Sequence, residues 1–169
     1  MSTRVSVNTF THSVTHVTAE MVRSLKDIIR WSGLSQGNLL NSWSTVETAI
    51  HTWLASRDLE RVTLEIYTPG TGALVGRWDF EIDFSYGSDD DGSLWADGDA
   101  IRFAIAKCGA IAATCNYEFL FKHKPGAPPV AGLGPRSYRS TAGFVTHSIG
   151  TTIGAHGIAS ATNFWRKAS

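Results

Sequence analysis

The stretch that most constrains this chain is Arg77-Trp-Asp-Phe-Glu-Ile-Asp-Phe84, where every second residue is large and apolar and the others are charged. Successive side chains of an extended backbone point to opposite sides. A period of two therefore puts Trp78, Phe80, Ile82 and Phe84 on one strand face and Arg77, Asp79, Glu81 and Asp83 on the other. One face needs a core, and the alternation predicts water on the other. Upstream, Val62, Leu64 and Ile66 alternate with Thr63, Glu65 and Tyr67. Between the two runs, Pro69-Gly-Thr-Gly72 supplies residues that favour turns and positive φ. Together they predict an antiparallel hairpin.

Helices have to cover such a face, and the period changes to supply them. Val14, Val17, Met21, Leu25, Ile28 and Ile29 recur at spacings of three and four, with Val22 beside them, a stripe wide enough to lie across a sheet. Thr11 or Ser13 offers the N-cap and Gly33 the stop. Leu39, Leu40, Trp43, Val46, Ile50, Trp53 and Leu54 predict a second helix ending near Ser56. A third, capped by Asp97 or Asp99, runs to about Lys107 with Ile101, Ala104, Ile105 and Cys108 inward. Arg4 to Phe10 alternates weakly, as a terminal edge strand would, and Tyr117, Phe119 and Phe121 mark a third central strand. The fold class is α+β, with 169 residues forming one domain that buries roughly 70% of its unfolded surface.

The last 45 residues differ. Lys124 to Pro135 holds four of the five prolines and cannot form regular structure. Ser137–Ser140, Phe144–Ile149 and Ile158–Trp165 follow as short strand-like runs split by glycines, a pattern that specifies register poorly.

Fifteen basic residues balance fifteen acidic ones, so no global field draws nucleic acid or an anionic membrane. The charge is uneven in place. Residues 79–99 hold eight acids and no base, whereas residues 100–169 hold eight bases and one acid, Glu118. Arg136, Arg139, Arg166 and Lys167 can meet an acidic partner or pair with the acidic loop. No apolar run is long enough to cross a membrane, the first ten residues lack a signal peptide's apolar run, and Cys108 and Cys115 make neither a disulfide framework nor a metal site. A cytoplasmic location is expected.

Catalytic constellations are missing. His12 and His16 lack a third ligand and the Glu of a metalloprotease helix. Asp89-Asp-Asp-Gly-Ser-Leu-Trp95 fails the spacing of a calcium loop. Gly150–Gly157 has no phosphate-loop lysine. The row Asp79, Glu81, Asp83 has glycosidase-like separations, yet any wet strand face produces that row. No enzyme, cofactor or metal is expected.

Three strings resemble a known family: Arg23-Ser-Leu-Lys-Asp-Ile-Ile-Arg-Trp-Ser-Gly-Leu34, Leu64–Asp79, and Gly134-Pro-Arg-Ser-Tyr-Arg-Ser-Thr-Ala-Gly-Phe-Val145 with Gly150–Ile153 after it. They are similar to bacterial HORMA-domain proteins of CBASS anti-phage operons. The resemblance implies a HORMA fold: a mostly antiparallel sheet, three helices on one face, a core of about residues 1–124 and a C-terminal safety belt of about residues 125–169. It implies a belt that closes around a closure-motif peptide added to a sheet edge, with Tyr117, Phe119, Leu120, Phe121, Lys122, Tyr138 and Phe144 at the peptide. Pro125, Gly126, Pro128, Pro129, Gly132 and Gly134 are the expected hinge. Ile158, Phe164 and Trp165 lie on the C-terminal docking strand, which in the closed state takes the sheet edge otherwise held by the N-terminal strand.

The implied partners are the peptide, a cyclic-oligonucleotide synthase (CD-NTase) switched on by the closed form, and a AAA+ ATPase that reopens it by gripping Ser2, Thr3, Arg4 and Val5. A second HORMA protein is a further partner type, and with no tail past Lys167-Ala-Ser169 this chain is expected to receive the motif rather than donate it. No direct nucleic-acid or membrane contact is expected. The alternative is a static protein-protein scaffold.

Overall fold

A computed structural model describes residues 10–35, 42–84, 94–108, 111, 114–133 and 137–168, of Cys108 only its backbone. Helix α1 (Phe10–Trp31) contains no Gly or Pro and buries the apolar stripe, including Val14, Val17, Met21, Leu25, Ile28 and Ile29. Gly33, at φ 85°, ends it. The Gly33 N–H donates to the Arg30 carbonyl at 3.2 Å and the Leu34 N–H to the Ile29 carbonyl at 3.1 Å, a Schellman closure sealed by the buried Leu34 side chain. Helix α2 (Trp43–Ala55) is capped by Ser42, whose hydroxyl accepts from the Thr45 N–H. Helix α3 (Gly98–Cys108) is capped by Asp97, whose carboxylate accepts from the Ala100 N–H, and it buries Ile101, Ala104 and Ile105 as expected.

The strands are β1 (Leu59–Tyr67), β2 (Leu74–Asp83), β3 (Trp95–Ala96), β4 (Asn116–His123), β5 (Phe144–Ala155) and β6 (Ile158–Lys167). They form one sheet in the order β3-β5-β6-β2-β1-β4, with every pairing antiparallel. The β1–β2 hairpin turns over Thr68–Ala73, where glycines 70 and 72 take φ of 86° and 70°. One face carries Val62, Leu64, Ile66, Trp78, Phe80, Tyr117 and Phe119 into the core under the helices. Ile158 and Phe164 of β6 join that core. No helix among the described residues is long and apolar enough to cross a membrane.

Four expectations change. The alternation assigned residues to faces correctly, but the polar face is not simply wet: Thr63, Glu65, Arg77, Asp79 and Glu118 are all buried on it. Alternation says which side chains share a face, not what lies over them, and here residues 138–139 do. Ser137–Ser140 form no ladder. The strand expected over Phe144–Ile149 runs on to Ala155, because Gly150 at φ 99° absorbs a register slip instead of ending it. Phe10 opens α1 instead of closing a strand, and Ser13 does not cap the helix: its hydroxyl is buried and donates to the His156 carbonyl at 2.6 Å. The rest of the expected N-terminal strand, Leu39 and Leu40, and residues 89–93 of the acidic loop lie outside the described residues.

Candidate peptide-binding edge

β4 is the last strand of the sheet among the described residues, with β1 on its inner side. Its position is fixed by aromatic packing against α2. The Trp43 and Phe119 ring centroids are 5.3 Å apart, Trp53 and Phe121 5.7 Å, and Trp53 and His123 4.4 Å. At the other end of the strand the Tyr117 hydroxyl donates to the Ser35 carbonyl at 2.9 Å. Burial raises the Tyr117 phenol above its ordinary range and raises the Cys115 thiol just before the strand.

The chain leaves β4 at His123, and the Lys124 N–H donates to the Asp58 carbonyl at 2.9 Å. It then runs back beside the strand. The Trp53 indole N–H donates to the Pro128 carbonyl at 2.6 Å, and Val130 is buried in the core. Between this segment and the strand lies a groove of about 480 Å³ lined by Trp53, Phe119, Phe121, Val130 and Leu133, among others. Glycines 126 and 132 take φ of 84° and 88°, the left-handed backbone that lets the segment double back.

By Tyr138 the chain is on the opposite face of the sheet. The Tyr138 ring lies between Arg61 (5.1 Å) and Arg77 (4.8 Å). Arg139 bridges two buried carboxylates, its Nη1 2.8 Å from both Glu65 Oε1 and Glu118 Oε1. The Arg139 backbone N–H donates to Glu65 Oε2 at 3.0 Å, and its Nε donates to the Gly72 carbonyl at 3.0 Å. Burial alone would lower the guanidinium, but its bonds to Glu118 and Glu65 outweigh that and hold it above its usual value. The segment continues to β5, four positions across the sheet.

The structure thus gathers Phe119, Leu120, Phe121 and His123 with Ala127, Pro128, Pro129, Val130 and Leu133. Tyr117 is buried at the far end of the strand, and Lys122 is exposed beside Glu60 at 3.8 Å. Tyr138 sits over β1 and β2 rather than at the groove. Phe144 does not join the groove either: it pairs with Lys167, four strands away. Of the expected docking residues, Ile158 and Phe164 are core, Phe164 stacking on Trp78 at 5.1 Å. Trp165 faces the other way and its indole donates to Asp79 Oδ2 at 2.9 Å. Gly134, Ser2, Thr3, Arg4 and Val5 lie outside the described residues. Trp53, Val130 and Leu133 were not anticipated at the groove, nor Arg139 as a clamp.

The hydrolase alternative finds no assembled site. Asp79 accepts from Thr63 (2.7 Å), Arg77 and Trp165, and is only 3% exposed. His16 lies 3.1 Å from the Trp95 carbonyl, and the described residues contain no cluster of three metal-ligating side chains.

A family model described as Bacterial HORMA domain 2 matches residues 1–168. The chain belongs to that family. Solved structures agree on the fold. A chain of the mitotic checkpoint complex superposes with a TM-score of 0.74 at 9% identity, covering 93% of this chain and 99% of that one. C. elegans HTP-2 bound to the HIM-3 closure motif gives 0.64 at 12%, covering 93% and 92%. A chain of the E. coli MS115-1 CdnC:HORMA-deltaN complex gives 0.58 at 14%, covering 93% and 90%. A comparison with curated protein sequences gives no match. In this HORMA domain, as in the others, the sheet and its three helices are the common frame.

Proposed function

We propose that this HORMA domain is a peptide-clasping conformational switch, with a core of about residues 1–124 and a safety belt of about residues 125–169. The observation that carries the reading is the path of the belt. It leaves β4, lines a groove beside that strand and is next held on the opposite face of the sheet through Arg139. An extended peptide added to β4 gains main-chain hydrogen bonds along Tyr117–Lys122 and side-chain contacts in the groove, and the belt must open before it leaves. The β5–β6 hairpin on the edge of β2 corresponds to the closed arrangement. Pro125, Gly126, Pro128, Pro129, Gly132 and Gly134 act as its hinge.

Closure is the signal in this reading. The closed, peptide-bound form binds and activates a cyclic-oligonucleotide synthase in the cytoplasm during anti-phage defence, and a AAA+ ATPase acting on Ser2–Val5 reopens it. The likeness to a chain from a CdnC:HORMA complex and to chains bound to closure motifs supports the synthase and peptide partners. The ATPase step rests on the family resemblance.

Removing residues 125–169 is a poor test, because Ile158 and Phe164 would leave the core. The test is ion-exchange chromatography of the full chain with and without a display-selected peptide. Two separable monomer forms, with peptide found only in one, are expected. A single unchanging species that still binds peptide supports the static scaffold instead.

A further inference from the structure

β4 is one end of the sheet. At the other end of the sheet, the two-residue strand β3 covers β5 only at Ile153 and Gly154, and Asp97 reaches the Thr152 carbonyl at 2.7 Å. Among the described residues no strand lies along the outer side of Phe144–Ser148. Edge strands are normally blunted by proline or by charged side chains. Phe144-Val-Thr-His-Ser148 carries neither, apart from His147. Large apolar side chains left exposed among the described residues are Val145 on this strand (41%) and Phe103 on α3 (65%), and α3 packs against β5. Ile105 of α3 and Phe164, the cross-strand partner of His147, line one cavity, so the C-terminal half of α3 lies beside this part of β5.

Among the described residues, the charged side chains cross-strand from Phe144 and Val145, and Lys107 near the end of α3, are basic. Arg166 is the cross-strand partner of Val145 and Lys167 of Phe144, and Arg166 Nε lies 3.3 Å from the His147 ring. The Lys107 ammonium sits over the Phe103 ring at 4.5 Å. A second copy of the chain paired edge to edge would place two Arg166–Lys167 pairs in one sheet, about 14 Å apart, with no attraction between them. A strand carrying carboxylates would be attracted.

We infer that Phe144–Ser148 is a second strand-addition site, which takes an extended acidic segment of a partner protein, with Val145 and Phe103 as apolar contacts and Arg166, Lys167 and Lys107 as the charges that select it. This deepens the proposed function and rests on it in one respect. The edge exists only while the β5–β6 hairpin is docked on β2, so a partner bound here reads the closed state directly.

The test follows amide hydrogen exchange in the full chain while a synthetic Glu-Val repeat octapeptide or its Lys-Val counterpart is titrated. The Glu-Val peptide is expected to slow exchange at residues 144–148 by at least about tenfold, with the Lys-Val peptide doing so far less. Arg166→Glu with Lys167→Glu is expected to abolish the protection, while Val145→Glu, which removes the apolar contact and plants a like charge on the edge, weakens it. Equal protection by both peptides, protection confined to residues 117–122, or none at all overturns the inference. Capture of a display-selected peptide at residues 117–122 is read in the same spectra, so failure of the belt reading shows separately.

Discussion

Arg139 holds Glu65 at two points, its backbone N–H 3.0 Å from Oε2 and its guanidinium 2.8 Å from Oε1. The same guanidinium reaches Glu118, which stands directly across from Glu65 on the neighbouring strand. Two carboxylates opposite each other on one sheet face repel, and both are buried. Arg139 is what makes that pair tolerable. Replacing Arg139 with Ala leaves a buried like-charge pair, an arrangement that costs about 3–5 kcal/mol when fully enclosed. The Arg139 side chain keeps 24% exposure, so about 2–3 kcal/mol is expected, seen as a lower denaturant midpoint and faster amide exchange at residues 137–140. Glu65→Gln with Glu118→Gln in the same chain should recover most of the loss. If the triple variant is no more stable than Arg139→Ala alone, the clamp is not electrostatic.

Trp53 ties α2 to the segment that follows β4 through its bond to the Pro128 carbonyl. Phe keeps most of the ring packing against Phe121 and His123 but removes the donor. Trp53→Phe is expected to cost about 1 kcal/mol, which is about a fivefold change in the opening equilibrium of residues 125–133. A selected peptide should then dissociate faster with its association rate little changed, as surface plasmon resonance would show. An unchanged dissociation rate means that the groove wall does not retain the peptide.

Much of this architecture was legible because periodicity is a local property. The stripe from Val14 to Ile29, the hairpin of residues 62–83 and the cap at Asp97 each follow from spacings within a few residues. The belt's path was not, because it depends on pairings between distant parts of the chain. Tyr138 reads as a residue near the peptide until the structure places it between Arg61 and Arg77. Phe144 reads as part of the same site until strand order sends it to the other side. A signal for the clamp was nonetheless present. Glu118 is the lone acid among residues 100–169 and sits in an apolar strand, and Glu65 sits in another. Two such carboxylates in otherwise apolar strands call for a cation, and the basic C-terminal third supplies it.

Gly154 and Trp95 show how closely β3 lies on β5. They are cross-strand partners, and a Cβ on residue 154 would fall inside the Trp95 indole. Gly154→Ala must therefore lift Trp95, whose carbonyl also contacts His16 of α1. Overpacking of this kind costs about 1–3 kcal/mol. The expected result is a lower melting temperature and faster exchange at residues 152–154. Trp95→Ala added to Gly154→Ala should give less than the sum of the two single losses, since the clash disappears with the indole. Strict additivity would show that the two residues do not meet in solution.

Tyr117 gives a pH-dependent test of how well the start of β4 is sealed. Its phenol is fully buried, and burial raises its pKa above the ordinary 10.0. The folded protein therefore holds this proton more tightly than the unfolded chain does. The stabilisation that follows is complete below pH 10.0 and is lost as pH climbs from there through the folded-state value. Tyr117→Phe removes the titration and also the hydrogen bond to the Ser35 carbonyl, at a cost of about 1 kcal/mol at neutral pH. The variant should thus be the less stable protein at pH 7, with the gap closing above pH 10 as only the wild-type chain pays for the buried phenolate. Other tyrosines, lysines and Cys115 titrate in both proteins and cancel in the difference. Urea melts at a series of pH values measure it directly. A gap that stays constant through alkaline pH would mean that water reaches the Tyr117 hydroxyl and that this end of the strand is open.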